Sequence, residues 1–250
     1  MMGLRQGLRD WVNAGLSFFF PEICQVCRKR RAGPADGFVC GECRAQVKWI
    51  RPPWCERCGE PVAGAITSAF VCSYCRKEPP HFDWARGAVG TAEPVLDLIH
   101  RYKYHRALWA EPFLAGLLIA AAGPVLAAEP WDAIVPVPLH PTRQREREFN
   151  QAERLARRLG RACALPVEAK LLRRVLYTRT QTTLTREERQ ANVRKAFALR
   201  TNCSLAGRRL VLVDDVLTTG ATTNACARVL REAGAAKVCV WTVARGLRVS

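Results

Sequence analysis

The sequence lacks an uninterrupted apolar run long enough to cross a membrane. Its most apolar stretch, residues 113–128, is shorter than the roughly 20 residues that a spanning helix needs, and Gly123-Pro124 falls inside it. A secretory signal is also missing: Asp10 and Asn13 interrupt the apolar segment near the N-terminus, and no small-residue cleavage site follows. These absences predict a core helix rather than a membrane span, and a cytoplasmic location.

Acidic residues are few, with 22 Asp and Glu against 39 Lys and Arg, so the formal charge is +17. Most of this excess lies after residue 80. Such a balance suits polyanionic ligands such as phosphorylated sugars, pyrophosphate or nucleic acid. The alternative explanation for part of the excess of basic residues is a GC-rich genome, whose codons favour Arg. The sequence has no Gly-Lys-Ser/Thr phosphate loop, which excludes an ATPase of that class.

Cysteine is abundant, and eight of the 12 residues form four Cys-x-x-Cys pairs before residue 76. In a reducing compartment such pairs predict metal ligands rather than disulfides. Two pairs supply the four thiolates of one tetrahedral Zn²⁺, so we expect two structural sites with no open catalytic position. Interleaved pairing would join the first pair to the third and the second to the fourth. The similar internal spacings of 12 and 13 residues favour the sequential sets, Cys24, Cys27, Cys40, Cys43 and Cys55, Cys58, Cys72, Cys75.

The chain divides into two predicted domains at the linker Glu78-Pro79-Pro80. Residues 1–80 hold an N-terminal amphipathic helix and the cysteine module, in which metal replaces a core. In residues 81–250, strand and helix patterns alternate, which predicts an α/β fold with a parallel sheet flanked by helices. We expect strands within 88–91, 131–137, 210–213 and 237–244, and helices within 94–104, 108–122, 150–161, 185–197 and 222–233.

The segment 210–223 combines features of a ribose phosphate site. Leu210–Val213 is a buried strand, and Asp214 and Asp215 stand where it should end. A Thr- and Gly-rich turn then enters a helix, whose N-terminal N–H groups suit a phosphate, and Gly220 permits close backbone approach. Ionised carboxylates accept hydrogen bonds from a sugar diol. Ligands of open α/β sheets bind beyond the carboxyl ends of strands, which is where this segment lies.

This segment resembles the phosphoribosyl pyrophosphate (PRPP) signature of type I phosphoribosyltransferases. The resemblance implies that Asp214 and Asp215 hold the ribose hydroxyls and contribute to catalysis with Mg²⁺-bound PRPP. It also implies that the 5′-phosphate lies in a cradle formed by Thr218, Thr219, Gly220, Ala221 and Thr222. Purine-salvage relatives have an acid where this chain has Thr218, so the loop supplies no general base of that kind.

Further motifs resemble the ComF family, which joins a zinc-binding domain to a phosphoribosyltransferase domain and is associated with DNA uptake. They are Val135-Pro-Val-Pro-Leu-His140, Arg147-Glu-Phe-Asn-Gln151, Arg179-Thr-Gln181, Arg189-x-x-Asn192-Val193 and the four cysteine pairs. The usual family form has glycine where this chain has Glu148. That departure would impair the site if the position needs a positive φ or a close approach to phosphate.

The ComF resemblance also assigns residues to the pyrophosphate side of the site. It implies that Arg179 acts in catalysis, in a flexible loop that closes over PRPP. The implied pyrophosphate-side residues are Pro138, Leu139, Arg147, Lys103 and Gln181.

Two classes of function stay open at this point. One is an enzyme that transfers the phosphoribosyl group and releases pyrophosphate to an acceptor that one sequence does not specify. The other is a non-catalytic protein that senses PRPP or binds single-stranded DNA, for which the aromatic candidates are Trp49, Trp54, Tyr74 and Tyr102. By the family resemblance, a competence helicase or another uptake protein is a candidate partner of the zinc module.

Overall fold

The computed structural model describes residues 22–62, 64, 66, 68–176, 195–201 and 203–247. The predicted N-terminal helix, Arg179, Gln181 and residues 185–194 of the helix predicted over 185–197 lie outside these residues. The predicted end of that helix is wrong, because Phe197 begins a strand. The strands in the described part are β1 (Trp84–Gly90), β2 (Ala133–Pro136), β3 (Leu172–Arg174), β4 (Phe197–Leu199), β5 (Arg209–Leu217) and β6 (Lys237–Arg245).

Helices connect and cover these strands. They are α1 (Gly41–Ala45), α2 (Ser73–Lys77), α3 (Val95–Tyr104), α4 (Glu111–Ala127), α5 (Pro141–Arg147), α6 (Gln151–Cys163) and α7 (Ala221–Glu232), with 3₁₀ turns at Pro34–Asp36 and Leu108–Ala110. The predicted helices that fall fully within the described residues are confirmed with shifted ends. The sequence analysis missed α5, which is polar throughout, and the short strands β3 and β4.

A four-stranded parallel sheet in the order β1-β6-β5-β2 forms the centre of the fold. Strand β5 pairs with β6 on one side and β2 on the other, and its residues Leu210–Val213 are fully buried. This explains the continuous apolar run, because a central parallel strand is covered on both faces. All four strands run in one direction, so their carboxyl ends meet at one edge of the sheet. Strands β3 and β4 form a separate antiparallel pair.

The cysteine module packs directly against the outer strand of the sheet. Trp49 forms an antiparallel bridge with Val89, where Ile50 N–H donates to the Ala88 carbonyl at 3.1 Å and Gly90 N–H donates to the Lys48 carbonyl at 2.8 Å. The backbone groups of edge strand β1 are therefore partly satisfied by the module. The boundary at residue 80 stays a prediction, and these hydrogen bonds cross it.

Helix α4 is the apolar element of the core. Within the described residues, Leu108–Ala127 is the one helical stretch long and apolar enough to span a membrane by length and composition. Half of this stretch is buried inside the protein, where Phe113, Leu114 and Leu118 join the main hydrophobic cluster. The packing of α4 against the sheet and α6 accounts for its composition. The helix continues through Pro124, which the sequence analysis took as an interruption.

Candidate functional site

The predicted phosphate loop lies at the carboxyl edge of the sheet. Strand β5 ends at Leu217, Thr218 and Thr219 form the turn, and Gly220 adopts a φ of 80° as the residue before helix α7. A positive φ of this size favours glycine at position 220. Thr219 Oγ1 accepts a hydrogen bond from Ala221 N–H at 3.3 Å. The turn therefore directs the first N–H groups of a twelve-residue helix toward the same edge.

Two adjacent carboxylates stand beside this loop. Asp215 is only 4% exposed, Asp214 is half-buried, and Asp215 N–H donates to Asp214 Oδ1 at 2.9 Å. Burial and the neighbouring Asp215 charge raise the pKa of Asp214 to about 7. Among the described residues, Asp215 Oδ2 has no hydrogen-bond partner. A buried carboxylate oxygen in this state is suited to accept a ligand hydroxyl or contact a hard cation.

Lys103 contacts the acid pair directly. Its Nζ lies 2.8 Å from Asp215 Oδ1, although the two residues are far apart in the chain. Burial of Lys103 acts to lower its pKa, but the charge and hydrogen bond of Asp215 raise the pKa overall. The ammonium group and Asp215 therefore form a nearly buried ion pair. The implied position of Lys103 on the pyrophosphate side stays a prediction, and its contact with Asp215 is an addition to it.

A buried polar network holds the helix that carries Lys103. The neighbouring Tyr102 hydroxyl donates to Glu111 Oε2 at 3.1 Å. The same carboxylate accepts from Arg154, and its other oxygen accepts from Arg158 Nε at 2.7 Å. Glu111 is 3% exposed, and burial acts to raise its pKa, yet the hydrogen bonds and charges of the two arginines lower the pKa overall. Helices α3, α4 and α6 are thus connected through one ionised group.

The predicted pyrophosphate-side loop follows β2 at the same edge of the sheet. Asn150 Nδ2 donates to the Val137 carbonyl at 3.1 Å, while its Oδ1 accepts from Ala152 N–H at 3.0 Å. Asn150 thereby joins the loop to the start of α6. Pro138 and Leu139 line a cavity of about 630 Å³, together with the basic residues Arg157, Lys170, Arg173, Arg174 and Arg200.

Arg147 and Glu148 end helix α5 near this loop. The Arg147 guanidinium lies over the Tyr104 ring at 4.8 Å from the centroid, and its charge acts on the pKa of Lys103. Glu148 has a φ of 66°, in the left-handed region, and its side chain pairs with Arg106 at 2.7 Å. The position therefore does adopt a positive φ, one of the two conditions under which the departure from the motif would matter. This chain adopts that conformation with a glutamate, at a cost of about 1–2 kcal/mol.

Arg174 is a candidate site residue within the predicted flexible loop, Arg173–Gln181, although no motif distinguishes it individually. It ends strand β3, and its guanidinium lies 5.4 Å from the centroid of the Phe197 ring. Burial lowers the pKa of Arg174, and the charge of Asp214 is among the interactions that oppose this change. One arginine among many in a basic chain carries no distinguishing sequence signal.

The eight paired cysteines form two compact clusters with sequential pairing. The first is Cys24, Cys27, Cys40 and Cys43, and the second is Cys55, Cys58, Cys72 and Cys75, with all sulfur atoms of a cluster within 4.8 Å of one another. The Cys24–Cys43 and Cys27–Cys40 sulfur separations are 3.8 Å, and the Cys58–Cys72 separation is 3.9 Å. A tetrahedral Zn²⁺ with Zn–S bonds of about 2.3 Å gives edges of about 3.8 Å. The clusters thus fit structural Zn²⁺.

Backbone N–H groups donate to sulfur atoms in both clusters, and at Cys24 they favour the thiolate form. Cys40 N–H donates to Cys24 Sγ, and Cys72 N–H donates to Cys55 Sγ, each at 3.3 Å. Burial acts to raise the pKa of Cys24, but backbone N–H donors, first that of Cys40, lower the pKa to about 6. The thiolate is the metal-binding form of cysteine, so this environment favours zinc binding.

Comparison with known proteins identifies both parts of the chain. Residues 15–77 match the double zinc ribbon domain family, and residues 150–248 match the phosphoribosyl transferase domain family. Together with the parallel sheet and its flanking helices, these matches show a type I phosphoribosyltransferase fold behind a double zinc ribbon.

Curated relatives match along most of their own length. Competence protein F of Haemophilus influenzae is 34% identical over 231 residues, which cover 91% of this chain and 98% of the relative. DNA utilization protein YhgH of Escherichia coli is 32% identical over 230 residues, with the same coverage of 91% and 98%. Competence protein ComFC of Bacillus subtilis is 27% identical over 224 residues, which cover 84% and 85%. The chain therefore belongs to the ComF family, in which a double zinc ribbon precedes a phosphoribosyltransferase domain.

Proposed function

We propose that the protein binds Mg²⁺–PRPP at the loop that follows β5 and transfers its phosphoribosyl group with release of pyrophosphate. The observation that supports this proposal best is the placement of Asp214 and Asp215 beside a phosphate-binding helix start. Asp215 also keeps one buried oxygen without a partner among the described residues. The relatives are named for competence and DNA utilization, so we place this activity within DNA uptake.

Each part of the site has a distinct task in this proposal. Asp214 and Asp215 accept hydrogen bonds from the ribose hydroxyls, and Lys103 pairs with Asp215 and orients it. The phosphate is bound by helix N–H groups and hydroxyls between Thr218 and Thr222. The bond between C1 and pyrophosphate breaks while a nucleophilic acceptor bonds to C1 and loses its proton. Because position 218 is threonine, the loop offers no carboxylate to take that proton.

The donors at the acid pair fit Mg²⁺. Carboxylate oxygens are the hard ligands that this ion prefers. Asp214 and Asp215 are therefore the residues that would hold it. When bound with PRPP, the ion neutralises negative charge on the leaving pyrophosphate. The protein cations proposed to stabilise the leaving pyrophosphate are Arg147, Arg174 and Arg179. The residues proposed to line the pyrophosphate side of the site are Pro138, Leu139 and Gln181.

Calorimetric titration with Mg²⁺–PRPP and with ribose 5-phosphate tests the binding step. Asp214→Asn combined with Asp215→Asn should weaken binding by at least about a hundredfold, because each lost charged hydrogen bond is worth about 1.5–3 kcal/mol. Asp97→Asn is the matched control, since Asp97 is an exposed aspartate on α3 that pairs with Arg101. The proposal fails if wild-type protein binds neither compound, or if the double variant binds as well as wild type.

A second experiment separates catalysis from binding. PRPP consumption and pyrophosphate release are measured with a panel of amines and nucleobases as acceptors. Acceptor-dependent release that the double aspartate variant abolishes supports transfer. Tight PRPP binding without consumption of PRPP supports the alternative of a non-catalytic PRPP sensor instead.

Single-stranded DNA binding is a second candidate function, and an aromatic cleft favours it. Four tryptophans and the exposed Arg51 line a cavity of about 510 Å³ between the zinc ribbon and the sheet. They are Trp49, Trp54, Trp84 and Trp241. Trp49 is 41% exposed at this cleft, and stacking of one base on an aromatic ring is worth about 1–3 kcal/mol. Tyr102 is fully buried, so the prediction that it contacts DNA is wrong.

Fluorescence anisotropy with a labelled oligothymidine tests this candidate. Binding should weaken as salt increases, and Trp49→Ala should reduce affinity by about tenfold or more at constant salt. Leu96→Ala is the control, because Leu96 is a similarly exposed apolar residue on α3. Equal affinities of the two variants, or binding that salt does not change, would exclude the cleft as a stacking site. The predicted helicase or other uptake partner stays a prediction.

A further inference from the structure

Arg245 connects the second cysteine cluster to the strand beside the phosphate loop. It is the last residue of β6 and lies opposite Leu217, the last residue of β5 before the loop. Its side chain is only 3% exposed. The Nη2 atom donates to Glu60 Oε2 at 2.6 Å and to Cys58 Sγ at 3.5 Å. One buried guanidinium therefore contacts both a predicted zinc ligand and a carboxylate of the same ribbon.

The charge of the cluster explains why an arginine is buried there. Four thiolates bring more negative charge than one Zn²⁺ neutralises, and Glu60, itself 9% exposed, adds to it. A buried charge of one sign is tolerated when an opposite charge is close and hydrogen-bonded. Arg245 supplies that charge. The glycine at position 87 makes room for it, because a methyl group there would lie 2.7 Å from Arg245 Cβ.

The backbone at Arg245 and Gly246 contacts the beginning of the phosphate loop. Gly246 N–H donates to the Leu217 carbonyl at 2.8 Å. A methyl group at Gly246 would lie 3.6 Å from Thr218 Cα, so the two backbones are neighbours. The backbone that carries Arg245 is therefore directly adjacent to the start of the loop at Thr218. The cluster thus contacts the loop through one side chain and the backbone that carries it.

A second contact joins the same ribbon to the other side of the loop. Cys58, Tyr74 and Cys75 face Thr219 and Gly220 across a small cavity of about 40 Å³. Nearby, His81 N–H donates to Asn224 Oδ1 at 2.6 Å, which ties the linker to the first turn of α7. The loop thus has neighbours on two sides, β6 and the second ribbon, while Thr218 itself is exposed.

We propose that the second cysteine cluster, acting through Arg245, positions the phosphate loop, so that zinc occupancy of this cluster and affinity for a ribose 5-phosphate group are linked. This inference rests on the proposed function, because it concerns the same loop. Arg245 is a positioning residue in this arrangement and does not touch the ligand. Thermodynamic linkage requires that the ligand increase zinc affinity by the same factor by which zinc increases ligand affinity.

Ribose 5-phosphate binding to three arginine variants of the full zinc-loaded chain tests the role of Arg245. Arg245→Met should reduce affinity by about tenfold, within the usual range of coupling between sites, and Arg245→Lys should recover part of the loss. Arg86→Met is the matched control. Arg86 pairs with Glu56 of the same ribbon at 2.8 Å, but it projects from β1 and does not adjoin the loop. The Arg86→Met variant should bind ribose 5-phosphate with the same affinity as wild type.

A measurement on wild-type protein tests the linkage without a variant that must fold. Zinc occupancy is followed against buffered free zinc, with and without ribose 5-phosphate. The ligand should shift the half-saturation of one of the two zinc classes by about tenfold and leave the other unchanged.

The outcomes separate the two proposals. If wild-type protein binds the ligand but its zinc occupancy does not shift, the linkage is overturned and the proposed function stands. The same conclusion follows if the folded Arg245→Met and Arg86→Met variants bind the ligand with equal affinity. Wild-type protein that binds no ribose 5-phosphate overturns the proposed function together with the linkage.

Discussion

Removal of the Lys103 charge should destabilise the protein strongly, because Lys103 is paired with a nearly buried carboxylate. The side chains of Lys103 and Asp215 are 19% and 5% exposed, and their charged atoms are 2.8 Å apart. At an effective dielectric constant of about 20, that separation corresponds to about 6 kcal/mol of attraction. Desolvation of both groups offsets part of it. Breaking the pair from one side still costs about 3–5 kcal/mol, since an uncompensated charge remains.

A double-mutant cycle isolates this interaction. Lys103→Met keeps the apolar stem of the side chain, and Asp215→Asn removes the charge that Lys103 compensates. The double variant should be more stable than the sum of the single effects predicts, by about 2–3 kcal/mol. Urea unfolding at fixed free zinc measures each free energy of unfolding, because metal binding to the folded state would otherwise shift the result.

The control cycle uses the more exposed pair Asp97–Arg101 on the same helix, where the coupling energy should stay below about 0.5 kcal/mol. If the Lys103 and Asp215 substitutions are additive within about 0.5 kcal/mol, the two groups do not interact in solution as they do in the structure. The role of Lys103 in pairing with Asp215 and orienting it would then be refuted.

Three further predictions concern pH, backbone strain and zinc. The pKa of Asp214 is raised to about 7, so ribose 5-phosphate affinity should fall as pH drops through 7, and Asp214→Asn should remove the part of this dependence that exceeds the titration of the phosphate itself. The folded protein holds this proton above the ordinary aspartate pKa, so the contribution of Asp214 to the free energy of unfolding is present at low pH and is lost as pH rises toward 7. Glu148→Gly should be more stable than Glu148→Ala by about 1 kcal/mol in urea unfolding, because both remove the Arg106 pair and only glycine relieves the positive φ; equal stabilities would contradict the strain. Zinc removal by a chelator under reducing conditions should lower the unfolding temperature and expose eight reactive thiols, because the clusters replace a core in the ribbon; an unchanged unfolding temperature at confirmed zinc loss would contradict a structural role.

Local sequence patterns were sufficient to predict the central strand and the cysteine clusters, because each is formed by residues that are close together in the chain. The apolar run at Leu210–Val213 predicts a central strand, and the structure places it between two parallel neighbours. The similar spacing of the cysteine pairs favours sequential clusters, and those clusters form. The boundaries of the strands were harder to predict. Strand β1 begins at Trp84, well before the predicted strand at residues 88–91. Its first residues show no apolar pattern of their own, and they are part of the strand because they pair with β6.

The sequence by itself determined the residue types at the site, because a strand, two acids and a Thr- and Gly-rich turn are contiguous. The sequence also showed that Glu148 stands where the motif at residues 147–151 usually has glycine. Only the tertiary structure decided that Lys103 contacts Asp215 and that Arg245 contacts Cys58. These contacts join residues more than one hundred positions apart. Their existence depends on strand order and on how the ribbon packs against β1, and no local pattern encodes either.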